Sequence, residues 1–141
     1  MDISDINSIK NDELKRMKER LENRGVDTNY IDIEYIYNHE KSIFETIFEV
    51  LVEMDKKIEI GIRDNEAIRL SREIYISDGG FKKAGWFFNR KYTLCESYKI
   101  ITREIEKRGF IPYIGKWYGF EGDARYWICV SINNKEEYNL I

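Results

Sequence analysis

Ile43 to Met54, IFETIFEVLVEM, is the most apolar run in the chain, and its reading decides how the rest is arranged. At 100° of turn per residue, Ile43, Phe44, Ile47, Phe48, Val50, Leu51, Val52 and Met54 sweep roughly 200° of a helix circumference, about twice the arc of a helix resting on one surface. The run predicts a central helix held between two layers, a sheet on one side and another helix on the other. Glu45, Glu49 and Glu53 occupy the remaining strip at i, i+4 and i+8 and form an acidic ridge. Asn38 suits the start of this helix, and the basic pair Lys56 and Lys57 suits its end.

Upstream, residues 4–24 read as a highly charged helix closed by Gly25. Its apolar stripe is thin (Leu14, Met17 and Leu21, weakly extended by Ile6 and Ile9), so it packs at the periphery or docks on a second subunit. Between Val26 and Asn38, the segment Tyr30–Tyr37 fits strand and helix templates equally.

Downstream, Ile58, Ile60 and Ile62 alternate with Glu59 and Gly61, the pattern of a short strand. Asp64-Asn65 then turns the chain into a longer strand with Ile68, Leu70, Ile74 and Ile76 on one face. Arg72 falls in the same row, which calls for a bulge that rotates it outward rather than a buried ion pair. Asp78-Gly79-Gly80 leads into a third strand, Phe81–Phe88. Thr93-Leu94-Cys95-Glu96 matches the capping box, in which hydroxyl and carboxylate satisfy amides at a helix start. The helix it opens carries Leu94, Tyr98, Ile101 and Ile105 on one stripe, Lys99, Arg103 and Lys107 on the other, and a stop at Gly109. Two further strands, Phe110–Phe120 and Arg125–Asn133, flank the turn at 121–124, and Pro112 marks the first of them as an edge or bulged strand.

The order ααβββαββ predicts an α+β fold: one domain over 1–141, with an antiparallel-rich sheet of about five strands packed against two or three helices. Residues 1–25 form a peripheral N-terminal helix in this reading.

At 141 residues, 43% hydrophobic and 35% charged, the chain is long enough for a core without metal or disulfide. It contains no run approaching the roughly 18 apolar residues of a membrane span. An acidic start without an apolar leader, two cysteines and the lack of a glycosylation sequon suit a soluble, cytoplasmic protein.

The net charge of −3 is unevenly spread. Residues 27–66 hold eleven acids against four bases, a net of −7, while residues 81–119 hold nine bases against three acids, a net of +6. Such opposed halves could meet across a symmetric subunit interface, so a homo-oligomer is among the expectations.

No motif dictates a catalytic chemistry. His39 is the only histidine and the cysteines form no CxxC pair, so no metal ligand set can be read from the sequence. Cys95 sits at a helix start, where a dipole favours thiolate, but it lacks a local base and reads as packed and inert. No catalytic residue, metal or cofactor is assigned.

The densest functional constellation is basic and aromatic: Lys82, Lys83, Trp86, Phe88, Arg90 and Lys91, then Lys99 and Arg103, then Lys116, Trp117 and Tyr118. Single-stranded nucleic acids and nucleotides require such rings as platforms for bases, with cations beside them for phosphates. The competing structural reading is that the rings are core and the lysines its solvated rim. The leading expectation is a non-enzymatic binding protein for an anionic ligand, a nucleotide or short nucleic acid. The alternative is a protein-interaction module or inhibitor that uses Glu45, Glu49 and Glu53 to imitate a phosphate backbone. A metal-dependent phosphoester hydrolase ranks third.

Overall fold

The computed structural model describes residues 2–61, 67–75, 81–84, 91–119, 121–132 and 139–140, with 81–84, 91, 92, 139 and 140 described by backbone alone. The chain forms two compact units, Met1–Lys41 and Ser42–Ile141.

In the first unit, α1 (Ile3–Asn23) starts at Asp2, whose carboxylate accepts the Asp5 amide. It ends in a Schellman motif: the Gly25 amide donates to the Glu22 carbonyl and the Val26 amide to the Leu21 carbonyl. Met17 and Leu21 are buried, whereas Ile3, Ile6 and Ile9 are exposed, so the thin stripe serves only the last turns. The ambiguous Tyr30–Tyr37 segment resolves into a 3₁₀ turn, Thr28–Tyr30, and a short helix, α2 (Ile33–His39), capped by the Asp32 carboxylate on the Tyr35 amide. Lys10–Glu34 and Lys41–Glu13, both at 3.0 Å, tie this unit together, with Lys41 also lying over the Tyr37 ring.

In the second unit, α3 (Lys41–Ile60, its first residue belonging to the first unit) buries Ile43, Phe44, Ile47, Val50, Leu51 and Met54. These residues span an arc of about 120°, so α3 is a one-sided helix and not the sandwiched one expected. Val52 is exposed and Phe48 is half-buried. The helix buried on an arc of about 200° is α4 (Glu96–Lys107), whose Ser97, Tyr98, Ile100, Ile101, Thr102, Glu104 and Ile105 are all buried. Its extra width comes from polar residues that a hydrophobic stripe does not reveal. The Thr102 hydroxyl donates to the Lys99 carbonyl, and Glu104 accepts from Arg108.

Three other expectations are corrected. Residues 58–60 are the last turn of α3 and not a strand; Gly61, at φ +101°, stops the helix where side-chained residues are strained. The N-cap of α4 is Cys95, not Thr93, because Thr93 and Leu94 are committed to strand pairing with Lys82 and Phe81. The strands expected to form one sheet of about five are instead divided between two three-stranded sheets.

Strand β1 (Ala67–Ile74) pairs antiparallel with β5 (Ala124–Ser131), and β5 pairs antiparallel with β4 (Ile111–Tyr118). The hairpin partner expected for β1 was the strand beginning at Phe81. That segment, β2 (Phe81–Ala84), instead pairs with β3 (Lys91–Leu94), which runs parallel to β6 (Asn139–Leu140). The β4–β5 hairpin and the position of β4, with Pro112, at a sheet edge agree with expectation. Asp64-Asn65, Asp78-Gly79-Gly80 and residues 85–88 lie outside the described residues. Among the described residues no helix is long and apolar enough to cross a membrane.

The bulge expected at Arg72 is present. Register is lost between Arg69 and Glu73, and Arg72 is exposed. The main-chain groups at this irregularity are taken up by α3. Glu53 accepts the Ser71 amide at 2.9 Å together with its hydroxyl, and Lys57 donates to the Arg69 carbonyl at 2.8 Å. Lys57 also pairs with Glu53 at 2.8 Å.

Candidate functional site

Cross-strand register decides which side chains share a face, because directly opposed residues point the same way. Across β1, β5 and β4 the rows are Arg69–Cys129–Tyr113 and Glu73–Trp127–Gly115, followed by Arg125–Trp117. The opposite face carries Ile74, Tyr126, Ile128, Val130, Pro112 and Ile114, all buried. One side of the sheet is therefore core. The other presents guanidinium groups and indoles.

The second face is organised by Gly115. A Cβ there would lie 2.5 Å from Cη2 of Trp117 and 2.7 Å from the Cys129 sulfur, so the Trp117 ring folds back over the glycine. It meets Trp127 edge to face, with centroids 5.1 Å apart, while 42% of Trp117 stays exposed and Trp127 is buried. The Arg69 guanidinium stands over both rings, 4.4 Å from the Trp127 centroid and 5.4 Å from that of Trp117. The Arg125 guanidinium also lies over Trp127, 5.1 Å from its centroid.

Arg125 is held by Glu73 through two bonds, Nε to Oε1 at 3.1 Å and Nη2 to Oε2 at 2.9 Å, and the Tyr75 hydroxyl donates to the same carboxylate at 3.1 Å. The Arg125 guanidinium thereby keeps Glu73 below the usual carboxylate range. Arg69 has no carboxylate partner among the described residues, so it is the uncompensated charge of the array. Cys129, beneath the Trp117 ring, is a packing residue: burial pushes its thiol up to about 11. Burial, and secondarily Cys129, likewise raises the neighbouring Tyr113.

The sequence-predicted ligand residues are distributed unevenly over this geometry. Trp117 lies on the guanidinium face. Lys116 and Tyr118 project to the other side of β4 by strand alternation, with the Lys116 ammonium 5.0 Å from the Tyr118 ring. Lys99 is on α4, paired with Glu96 at 3.0 Å, and Arg103 is exposed on the same helix. Lys82, Lys83 and Lys91 are placed by backbone on the β2–β3 hairpin. Trp86, Phe88 and Arg90 lie outside the described residues. Sequence reasoning missed Arg69, Arg125, Trp127 and Glu73 as site members, because only the strand order β1-β5-β4 brings them together.

Of the acidic ridge, Glu45 and Glu49 are exposed, while Glu53 is engaged by Ser71 and Lys57. Glu49, Val50, Glu53, Ser71 and Arg72 line an open cleft of about 240 Å³, smaller than the roughly 300–1,000 Å³ of ordinary small-molecule sites. Among the described residues no group of three or more His, Cys, Asp or Glu side chains is placed to hold a metal ion. Comparison with protein-family models, curated proteins and solved structures finds no match.

Proposed function

We propose that this chain is a small binding protein that takes an anionic, ring-bearing ligand, a nucleotide or short nucleic acid, on the guanidinium and indole face of the β1-β5-β4 sheet. One observation carries this reading: Trp117 presents an open ring while Arg69, stacked against it, has no carboxylate partner among the described residues. A base laid on an indole gains about 1–3 kcal/mol from stacking, and that gain is largely independent of base identity. A guanidinium beside the ring supplies the planar donor fork that matches phosphate oxygens.

Arg125 is occupied by Glu73, so its contribution is to hold the face rigid, and Arg69 remains for the ligand. The acidic-ridge alternative retains two exposed carboxylates, Glu45 and Glu49, because Glu53 is needed at the β1 bulge.

The test is thermal melting with a panel of mono-, di- and cyclic nucleotides. A ligand at 100 times its Kd stabilises the native state by about 2.7 kcal/mol. The expected result is an upward shift that Trp117→Ala or Arg69→Gln removes. No shift from any nucleotide at millimolar concentration would contradict the proposal.

A further inference from the structure

We infer that the cleft between α3 and the bulge of β1 takes a free α-amino acid with a small aliphatic side chain, its ammonium at Glu49 and its carboxylate at Arg72. The cleft lies within the second unit and is lined by Glu49, Val50, Glu53, Ser71 and Arg72. None of these residues takes part in the nucleotide-binding reading.

Two of the polar groups in the cleft are spent on building it. Glu53 accepts the Ser71 amide at 2.9 Å and pairs with Lys57 at 2.8 Å, so its charge is answered and the strand is fixed to the helix before any ligand arrives. The other two are different. Glu49 stands one helical turn before Glu53, and Arg72 lies where β1 loses register. Bulges re-aim side chains and are over-represented beside active sites; this one takes Arg72 out of the apolar row and sets it at the cleft. Both residues are exposed, and among the described residues neither makes an ion pair with the other or with any third group. One carboxylate and one guanidinium therefore line a single small cleft without cancelling.

Size and charge together select the ligand. About 240 Å³ corresponds to roughly eight waters at about 30 Å³ each, room for a molecule the size of valine or leucine but not for a nucleotide. A molecule that small answers both charges only if it carries an ammonium and a carboxylate close together, as a free α-amino acid does on one carbon. The guanidinium offers parallel N–H donors that match the two oxygens of a carboxylate. Val50, apolar and 4% exposed, is the floor against which a short aliphatic side chain can rest. Glu49 repels a ligand that is purely anionic.

The test is a heteronuclear titration of the full chain, following the backbone amides of Val50, Ser71 and Arg72, with valine, N-acetylvaline and valinamide as ligands. Valine is expected to give saturable shifts at these three amides. N-acetylvaline lacks the ammonium and valinamide lacks the carboxylate, so each should bind about tenfold more weakly or worse. Glu49→Gln and Arg72→Gln should each weaken valine by a similar factor. Both positions are exposed, where substitutions cost little stability, and melting curves establish that each variant is folded.

The absence of a saturable shift from valine, leucine and alanine at tens of millimolar would overturn the inference. So would N-acetylvaline or valinamide binding as tightly as valine, a result that needs no variant. Valine affinity unchanged in both Glu49→Gln and Arg72→Gln would equally remove the assignment.

Discussion

Gly115→Ala is the substitution whose consequences the structure defines most closely. The added methyl would fall 2.5 Å from Cη2 of Trp117, closer still to its Cζ3, and 2.7 Å from the Cys129 sulfur. Trp117 is half-exposed and can swing outward; Cys129 is 1% exposed and cannot. Moving the ring forfeits the edge-to-face contact with Trp127, about 0.5–1.5 kcal/mol, and the Arg69 contact, about 0.5–1 kcal/mol. Crowding Cys129 adds about 1–3 kcal/mol of overpacking. The expected destabilisation is therefore about 2–5 kcal/mol, read by urea denaturation.

In a Trp117→Ala background the ring contributions are already lost, leaving only the Cys129 share of about 1–3 kcal/mol. The two substitutions should therefore be non-additive, by about 1–2.5 kcal/mol. A Gly115→Ala chain that unfolds at the wild-type midpoint, or strict additivity with Trp117→Ala, would refute the placement of the indole over this glycine.

Three further outcomes follow from the packing around this face. Glu53→Ala exposes the Ser71 amide and strands Lys57, at an expected cost of about 1–3 kcal/mol. Burial pushes the Glu53 carboxyl up, but Lys57 and Ser71 together outweigh it and hold the group below the usual carboxylate range. Its contribution is thus fully present above the unfolded value and is lost as pH falls through the lower folded one. Acid titrations of stability should show a wild-type loss in that window that Glu53→Ala lacks. Arg108 bonds Asp55 at 2.9 Å, the Glu104 carbonyl at 2.9 Å and the buried Glu104 carboxylate at 3.2 Å. Arg108→Ala should cost about 1–3 kcal/mol by chemical denaturation, and Lys should not restore it, lacking the fork that spans both acids. In thiol modification of the native chain, half-buried Cys95 should react first and Cys129 only as the chain unfolds; equal rates would contradict its burial under Trp117.

Much of the fold can be traced to local chemistry, and the exceptions have local causes. Gly25 and Gly109 end helices because the amides after them can return to the Leu21 and Ile105 carbonyls, a requirement visible in the spacing. Arg72 within an apolar row signals the bulge, since only an extra residue lets a charge leave the core face. The alternation at Ile58, Glu59 and Ile60 misleads because three residues cannot separate a period of two from a helical turn. Ile60 is 86% exposed, so its apolarity reports no burial. Thr93–Glu96 satisfies the capping-box pattern, but strand pairing keeps Thr93 and Leu94 extended and passes the cap to Cys95. The site is the least legible part. Trp117 stands out as an aromatic beside a lysine, yet strand alternation sends that lysine to the other side. The cations that do share its face, Arg69 and Arg125, arrive from β1 and β5 through pairings distant in sequence.

The central claim is that Trp117 is an open platform for a nucleotide base. The most direct test is a heteronuclear titration following the indole N–H resonances, with Trp117 assigned from Trp117→Phe, as a nucleoside monophosphate is added. The account predicts a saturable shift of the Trp117 resonance and a smaller one at buried Trp127. Indole resonances that stay fixed up to millimolar ligand would contradict it.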